Sequence, residues 1–257
     1  MGFLTDIIED TRRRLERSPL DESGLLALAV GLPPTRPFEE ALRRGSPPAV
    51  IAEIKRASPS AGRIADAEAG SRARAYEAAG ASAVSVLTEP TRFDGALADL
   101  RAARLAVRIP VLRKDFLIHP SQLIESRAEG ADAVLLIAAA LSGSELKAML
   151  AAAVDLGLGV LVEAQSEEDL EKALATQATV VGVNARDLET LAVDPARAIA
   201  LLERVPPDRI AVLESGIASR SDVERAVAAG ARAVLVGEAL MRAPDPGAKL
   251  RELRGAA

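Results

Sequence analysis

A unit of one apolar run, one polar turn and one amphipathic helical pattern recurs along the chain from residue 49 onward. The apolar runs are short and rich in Val, Ile and Leu, which is typical of strands that are buried on both faces. Strand followed by helix, repeated in this way, predicts a parallel sheet with helices packed around it. The eight apolar runs are residues 49–54, 83–87, 110–112, 133–137, 159–162, 180–183, 210–213 and 233–236.

A short phrase that contains one glycine precedes three of these strands, at residues 79–84, 129–134 and 229–234. Glycine suits the left-handed residue that ends many helices. Eight such units fit a closed barrel better than an open doubly wound sheet, which usually shows a glycine-rich cofactor fingerprint at its first turn. No such fingerprint occurs in the sequence. We therefore predict an α/β fold, a (β/α)8 TIM barrel.

The first 48 residues lack the strand pattern and are expected to be helical. Residues 3–17 alternate apolar and charged side chains at helical spacing, and shorter helices are expected near 23–30 and 38–44. Because this segment is too small to bury a core alone, we interpret 1–48 as an N-terminal helical extension of a single domain. The barrel then spans 49–257, and we expect the extension to close over the substrate.

The composition limits the classes of function. A net charge of −5 argues against nucleic acid as a partner. The absence of cysteine excludes disulfides, thiolate catalysis and zinc–sulfur sites. The longest apolar run, 133–141, is too short to span a bilayer, so we expect no membrane partner. We also expect a cytoplasmic protein and a monomer. The single histidine, His119, has no ligand-type neighbour at metal spacing, and no nucleotide motif occurs, so neither metal nor cofactor is expected.

Polar residues follow six of the eight predicted strands. In a (β/α)8 barrel the site lies at the carboxyl ends of the strands, where these residues would meet. Solvated loop charges explain one or two such ends, but six ends favour one shared site. The residues at these ends are Glu53 and Lys55, then Arg113, Lys114 and Asp115, then Glu163, then Asn184 and Arg186, then Glu214, Ser215 and Gly216, and finally Gly237 and Glu238.

Two of the strand ends carry lysine in a chain that otherwise prefers arginine. Only Lys55, Lys114 and three other lysines occur among the 32 basic residues. Arginine keeps its proton in proteins, whereas lysine can release it when it is desolvated. Lys55 and Lys114 are therefore candidates for proton transfer, with chance placement as the alternative.

The turns after the last two strands have the composition of a phosphate-binding site. Glycines at Ser215-Gly216 and Gly237-Glu238 free backbone N–H groups to approach an anion, and a short helix starting near Glu238 would point its positive end inward. The alternative is that both are simple turns. The residues alone thus predict a sugar-phosphate barrel enzyme with lysine and glutamate chemistry, without identifying its reaction.

Five motifs closely resemble those of the indole-3-glycerol-phosphate synthase family. They are IAEIKRASPS at 51–60, LRKDF at 112–116, GVNARDL at 182–188, LESGI at 213–217 and LVGEALM at 235–241. The resemblance covers the barrel from about residue 49 to 242, and the helical extension also fits. Two departures flank the expected functional positions. Ala185 stands where a second asparagine or a serine is common, and Ser121 stands where a tyrosine is frequent.

The resemblance implies a carboxy-lyase of tryptophan biosynthesis. It would close the indole ring of the sugar phosphate 1-(2-carboxyphenylamino)-1-deoxyribulose 5-phosphate with loss of carbon dioxide and water. Lys114 would act as general acid and Glu163 as general base or proton partner in dehydration. Lys55, oriented by Glu53, would hold the anionic groups of the substrate and assist proton transfer, and the sequence leaves open which lysine acts at which step. The other catalytic residues implied are Asn184, Glu214 and Ser215. The implied substrate contacts are Ser58, Phe93, Phe116, Leu135, Arg186, Leu188, Ser215, Gly216, Leu235, Gly237 and Glu238.

Two other functions stay open from the sequence. A related aminoaldose–ketose isomerase barrel would pair an aspartate with a cysteine or a second aspartate, and this chain has no cysteine. A catalytically silent sugar-phosphate-binding barrel would have lost Lys114, Glu163 or Lys55, and all three are present.

Overall fold

Eight parallel strands form a closed barrel in the computed structural model, which describes residues 2–59, 62–64 and 68–255. Each strand pairs with the next along the chain, and the last pairs with the first. The predicted (β/α)8 TIM barrel is therefore confirmed. Ser60, at the end of the first motif, lies outside the described residues. The strands are β1 (Ala49–Ile54), β2 (Ala83–Leu87), β3 (Val111–Lys114), β4 (Ala133–Ile137), β5 (Gly159–Ala164), β6 (Val180–Asn184), β7 (Ile210–Glu214) and β8 (Ala233–Val236).

Helices precede the barrel and alternate with its strands. Three come before β1, namely α1 (Phe3–Arg17), α2 (Glu22–Val30) and α3 (Phe38–Arg43). A short hairpin, Ala57–Ser58 with Gly62–Arg63, and a 3-10 turn at Ala138–Ala140 lie in the loops after β1 and β4. The remaining helices are α4 (Ala69–Ala78), α5 (Leu97–Ala106), α6 (Pro120–Ala128), α7 (Gly143–Asp155), α8 (Glu167–Leu174), α9 (Pro195–Leu202), α10 (Arg220–Ala228), α11 (Glu238–Arg242) and α12 (Pro246–Arg254). Among the described residues, every helix is too short or too polar to cross a lipid bilayer.

Local sequence explains where many of these helices begin and end. The glycines of the repeated phrase, Gly80, Gly130 and Gly230, have φ values of 91°, 86° and 101°, as expected for residues that follow a helix end. His119 caps α6, because its Nδ1 accepts a hydrogen bond from the backbone N–H of Ser121 at 3.2 Å. The single histidine thus has a structural role at the start of a helix.

Four strand ends differ from the predicted boundaries. Strand β3 was expected at 110–112 but spans Val111–Lys114, and β5, β6 and β7 each continue past their predicted ends. The parallel register pairs Leu87 with Lys114 and Asn184 with Glu214, so the polar residues still belong to the sheet. In sequence, a polar residue after an apolar run is typical of a loop. Here these polar residues remain in the strands, because neighbouring charged side chains inside the barrel compensate their burial.

Alternation along the strands separates two apolar cores. Ile51 and its counterparts on the other strands face the interior, whereas Val50 and Ala52 pack outward in the core that the surrounding helices share. The interior is filled, as expected for a barrel of eight strands. At the carboxyl end of the barrel, the interior side chains change from aliphatic to charged. The charged residues therefore lie directly above the apolar interior core.

The three N-terminal helices lie at different places around the barrel. Helix α1 donates from the backbone N–H of Leu4 to Leu188 O at 3.0 Å, in the loop after β6 at the carboxyl end. Helix α3 lies at the opposite end, where Glu39 accepts a hydrogen bond from the hydroxyl of Thr179 at 2.7 Å, one residue before β6. Phe38 of α3 is buried in the interior core. Only α1, and not the whole extension, is therefore placed to cover the site.

Candidate active site

One pocket at the carboxyl ends of the strands is lined by every catalytic and substrate-contact residue that the sequence predicts. These residues come from seven strands, all except β2, and from the segments after β1, β2, β3, β6, β7 and β8. The parallel closed sheet brings them together because all eight strands end on the same side.

A layer of charge from the odd-numbered strands forms the floor of the pocket. Lys114 on β3 points inward, and its Nζ lies 3.5 Å from Glu163 Oε2 and 3.7 Å from Glu214 Oε2. Both carboxylates are 1% exposed. Burial on its own would lower the pKa of Lys114, but Glu163, Glu214 and Glu53 together raise it above its ordinary value. Lys114 is therefore protonated in the free protein.

Glu53 and Lys55 form the second ion pair of the floor. They lie one strand period apart at the end of β1, and Lys55 Nζ is 2.8 Å from Glu53 Oε1. Burial opposes ionisation of Glu53, but Lys55, Lys114 and Arg186 hold its pKa below the ordinary value. Gly237 leaves the room for this carboxylate, since a Cβ there would lie 2.2 Å from Glu53 Oε1.

The pKa of Glu214 is shifted in the opposite direction to that of Glu53. Burial and the neighbouring Glu163 raise its pKa well above the ordinary value, although Lys114 opposes the shift. Among the described residues, neither carboxyl oxygen of Glu214 has a hydrogen-bond partner. Gly182 makes space beside it, because a Cβ there would lie 2.2 Å from Glu214 Oε1. A buried carboxyl that has an ion-pair neighbour but no hydrogen bond has free lone pairs with which to bind a substrate hydroxyl.

Asn184 links the charged floor to the loop after β6. Its Nδ2 donates to Glu163 Oε1 at 3.0 Å, and its Oδ1 accepts from the backbone N–H of Arg186 at 2.9 Å. The Arg186 side chain in turn donates to Leu191 O at 2.8 Å. These bonds fix the orientation of the Glu163 carboxylate and place a guanidinium at the pocket rim.

The upper part of the pocket is aromatic and aliphatic. The rings of Phe93 and Phe116 lie 6.2 Å apart, and each makes an edge contact with Phe3 of α1, at 6.2 Å and 6.3 Å. Leu135, Leu188 and Leu235 complete this surface. Such a surface suits a flat apolar group that lies above the charged floor.

The loops after β7 and β8 present backbone groups to the pocket. Ser215 and Gly216 both have positive φ, at 66° and 72°, which turns the chain sharply after β7. Gly237 precedes the short helix α11, which begins at Glu238 as expected. Ser58, in the hairpin after β1, lies on the same pocket and is buried.

Arg113 of the strand-end set lies outside the pocket. It alternates with Lys114 along β3, so its side chain points outward and is 3% exposed. It binds Glu125 Oε2 of α6 at 2.9 Å and Asp115 Oδ2 at 3.0 Å. Asp115 reaches the pocket edge but also accepts from the hydroxyl of Thr88 at 2.6 Å. Through these contacts, Arg113 and Asp115 hold β2, β3 and α6 together.

Some pocket residues were missed by the sequence analysis. Phe3 is the clearest, because it comes from the extension and reaches the pocket only through the position of α1. A signal existed, since the chain has four phenylalanines and no tryptophan, and three of the four contact each other here. Leu87, Ile137, Leu191 and Ile217 also line the pocket. Within the described part of the chain, no group of acidic, histidine or cysteine residues is placed to hold a metal ion.

Comparisons with solved structures agree with the fold. The chain superposes on a 3-hexulose-6-phosphate synthase with a TM-score of 0.65 at 20% identity, over 82% of this chain and 100% of that one. A thiamine phosphate pyrophosphorylase from Pyrococcus furiosus gives 0.61 at 16% identity, over 85% and 96%. At these identities the likeness concerns the barrel alone.

Comparisons with sequence families are more specific. The family model for indole-3-glycerol phosphate synthase matches residues 4–253. The chain is 49% identical to the indole-3-glycerol phosphate synthase of Micrococcus luteus, over 100% of this chain and 98% of that protein. It is 48% identical to that of a Nocardioides species, over 99% of both. In agreement with the motifs, the chain therefore belongs to the indole-3-glycerol phosphate synthase family, the carboxy-lyases of tryptophan biosynthesis.

Proposed function

We propose that this pocket closes the indole ring of 1-(2-carboxyphenylamino)-1-deoxyribulose 5-phosphate with Lys114 as the general acid. One observation carries the proposal. A protonated lysine lies among buried carboxylates at the floor of a pocket whose upper surface is aromatic. That arrangement suits a substrate with a flat ring, a ketone and several anionic or hydroxyl groups.

The first step forms the carbon–carbon bond. The ring carbon that bears the carboxylate attacks the sugar ketone carbon, and the carbonyl electron pair moves to oxygen. Lys114 gives its proton to that oxygen, so no free alkoxide forms. Its carboxylate neighbours, Glu163 and Glu214, keep the amine protonated and directed into the pocket until the ketone arrives.

The later steps restore the aromatic ring and remove water. The bond to the carboxylate breaks, its electron pair returns to the ring, and carbon dioxide leaves. The new hydroxyl then takes a proton from Lys55 and departs as water, while Glu163 accepts a proton from the carbon next to nitrogen. The Asn184 amide at 3.0 Å from Glu163 Oε1 holds that carboxylate in place. Lys55, oriented by Glu53, is the second amine within reach of these transfers.

The remaining residues match the other groups of the substrate. Arg186 and Ser58 are proposed contacts of its carboxylate. Asn184 and Glu214 would position its hydroxyls, and Glu214 has free lone pairs for this purpose among the described residues. The phosphate would bind at the turns after β7 and β8, contributed by Ser215, Gly216, Gly237 and Glu238. The ring would contact Phe93, Phe116, Leu135, Leu188 and Leu235.

The partners and location follow from the same proposal. We propose a monomer that acts on a small sugar phosphate, because every residue assigned a role above already lies in the pocket of a single barrel. The chemistry requires only proton transfers by side chains. We also propose a cytoplasmic location, where amino-acid biosynthesis takes place.

The direct experiment supplies the carboxyphenylamino deoxyribulose phosphate to the purified protein and follows indole fluorescence. We expect fluorescence to rise with release of one carbon dioxide for each indole formed. A folded protein that binds this compound without forming indole would instead be a silent binding barrel.

A further inference from the structure

A single buried carboxylate organises the loop between β2 and α5. Glu89 is 1% exposed and follows the last residue of β2 by two positions. Its Oε1 accepts hydrogen bonds from the backbone N–H of Thr91 at 2.9 Å and from the Thr91 hydroxyl at 2.6 Å. Its Oε2 accepts from the backbone N–H of Arg92 at 2.6 Å and of Phe93 at 3.2 Å.

The loop also returns to its own starting point. The backbone N–H of Gly95 donates to Glu89 O at 2.9 Å. Asp94 has a φ of 54°, and a Cβ at Gly95 would lie 2.4 Å from Leu87 O, so only glycine permits this approach. The chain thus leaves β2, passes around the Glu89 carboxylate and closes on itself, which leaves Phe93 little freedom to move.

Phe93 lies where three other segments meet. Its ring contacts Phe3 of α1 and Phe116 after β3, with centroids 6.2 Å away in each case. Its carbonyl oxygen accepts a hydrogen bond from the backbone N–H of Ala57 in the hairpin after β1, at 3.3 Å. The position of this one residue therefore sets the shape of the aromatic part of the pocket.

We propose that Glu89 is a positioning residue that fixes the backbone of Phe93 and so shapes the subsite for the substrate's aromatic ring. Burying a carboxylate costs free energy unless its oxygens are hydrogen-bonded. Within the described part of the chain, the hydrogen bonds of this carboxylate come only from the loop that carries Phe93. The inference rests on the proposed function, in which Phe93 contacts the carboxyphenyl ring.

The test compares a ligand with the ring and a ligand without it. The first is the substrate analogue whose ketone is reduced to an alcohol, which binds without reacting, and the second is ribulose 5-phosphate. In Glu89→Gln one acceptor oxygen becomes an amide donor that faces backbone N–H groups, so part of the loop is released. We expect binding of the ring-bearing analogue to weaken about tenfold, and binding of ribulose 5-phosphate to change less than about twofold.

A double-mutant cycle separates positioning from general damage. If Glu89 acts through Phe93, Glu89→Gln should add less than about twofold to the effect of Phe93→Ala. Equal weakening of both ligands, no weakening of either, or a full additional tenfold loss in the Phe93→Ala background would overturn the proposal.

Three further measurements keep the result interpretable. Thr91→Val removes one of the four hydrogen bonds and should give a smaller shift in the same direction, even if Glu89→Gln does not fold. Asp21→Asn is the matched control, because Asp21 accepts from a backbone N–H at 3.0 Å at the start of α2, away from the pocket. The parent is assayed first. An unreactive parent contradicts the proposed function, whereas equal effects on both ligands in an active protein contradict only the role of Glu89.

Discussion

At the scale of single residues, the protonation of Lys114 shows how neighbours decide the chemistry of a buried group. Burial would lower its pKa, but the carboxylates of Glu163, Glu214 and Glu53 raise it. Desolvation alone would favour release of the proton from a lysine at a strand end, and the neighbouring carboxylates reverse that effect. A protonated amine beside the reacting ketone is the form that general acid catalysis needs.

Glu214 gives a prediction about stability and pH. Its pKa is raised in the folded protein by burial and by Glu163, so the unfolded chain binds fewer protons than the native state above the ordinary pKa of 4.5. Stability from this group is complete below that pH and is lost as pH rises through the folded pKa. We expect Glu214→Gln to remove this loss, so that its unfolding free energy, relative to the parent, increases from pH 4.5 to pH 8. Urea unfolding across this range measures the difference, and parallel profiles would contradict the shift.

Gly237 gives a prediction about turnover. The sequence placed it in a phosphate-binding turn, where a larger side chain would chiefly raise KM. The structure adds that a Cβ would lie 2.2 Å from Glu53 Oε1, so the carboxylate must move away from Lys55. We expect Gly237→Ala to lower kcat by at least about tenfold, with any rise in KM smaller than that.

Gly143→Ala is the control for Gly237→Ala, since a Cβ there has no neighbour within 4 Å. Its kinetics should match the parent. A Gly237→Ala variant with raised KM and unchanged kcat would show that this turn serves phosphate binding alone.

At the scale of elements, the N-terminal helices have separate functions. Helix α1 lies at the carboxyl end and supplies Phe3 to the pocket, whereas α3 fills the amino end of the barrel with Phe38 and Leu42. Their order in sequence gives no sign of this division, because each helix has one apolar face. The three-dimensional positions come from contacts with loops that lie far away in the chain, such as Leu188 and Thr179.

Removal of residues 1–17 tests the role of α1. Leu4, Ile7 and Ile8 of α1 pack on the interior core, but the strands and the surrounding helices share a second core without them, so we expect a folded protein of lower stability. Loss of Phe3 should open the aromatic part of the pocket and raise KM about tenfold. Full affinity in the truncated protein would refute a role for α1 in binding.

Phe38→Ala is the contrasting variant for α3. Phe38 is 2% exposed in the interior core, so we expect a loss of roughly 3–5 kcal/mol in unfolding free energy. Substrate KM should stay within about twofold of the parent in the folded fraction, because Phe38 lies at the far end of the barrel.

At the scale of the whole molecule, the fold and most of the site follow from the strand pattern. Once eight parallel strands close, Glu53, Lys114, Glu163 and Glu214 must meet at one end, because every strand ends on the same side. The five motifs are spread over the chain, but closure of the barrel alone places them in one pocket. Their individual contacts need not be known for this prediction. This explains why every predicted catalytic and substrate-contact residue lies on it, whereas Arg113, which alternates with Lys114 along β3, lies outside it.

The remaining features depend on contacts that local pattern does not contain. The predicted strands β3 and β7 end before Lys114 and Glu214, whereas the observed strands include these residues. Their charges are compensated by partners on other strands, which the local sequence does not show. The part played by Phe3 depends on where α1 docks. Glu89 resembles any loop carboxylate in sequence, and only the backbone turn around it shows that it is buried.

The central claim is that Lys114 delivers a proton to the ketone oxygen, and Lys114→Arg tests it most directly. Arginine preserves the positive charge among Glu163 and Glu214 but does not release its proton. General acid catalysis contributes ~10²–10⁴-fold, so we expect turnover of the folded variant to fall at least roughly 10²-fold while the reduced substrate analogue still binds. Lys114→Ala should be no better. Turnover of Lys114→Arg within about fivefold of the parent would contradict the assignment and would transfer the general-acid role to Lys55.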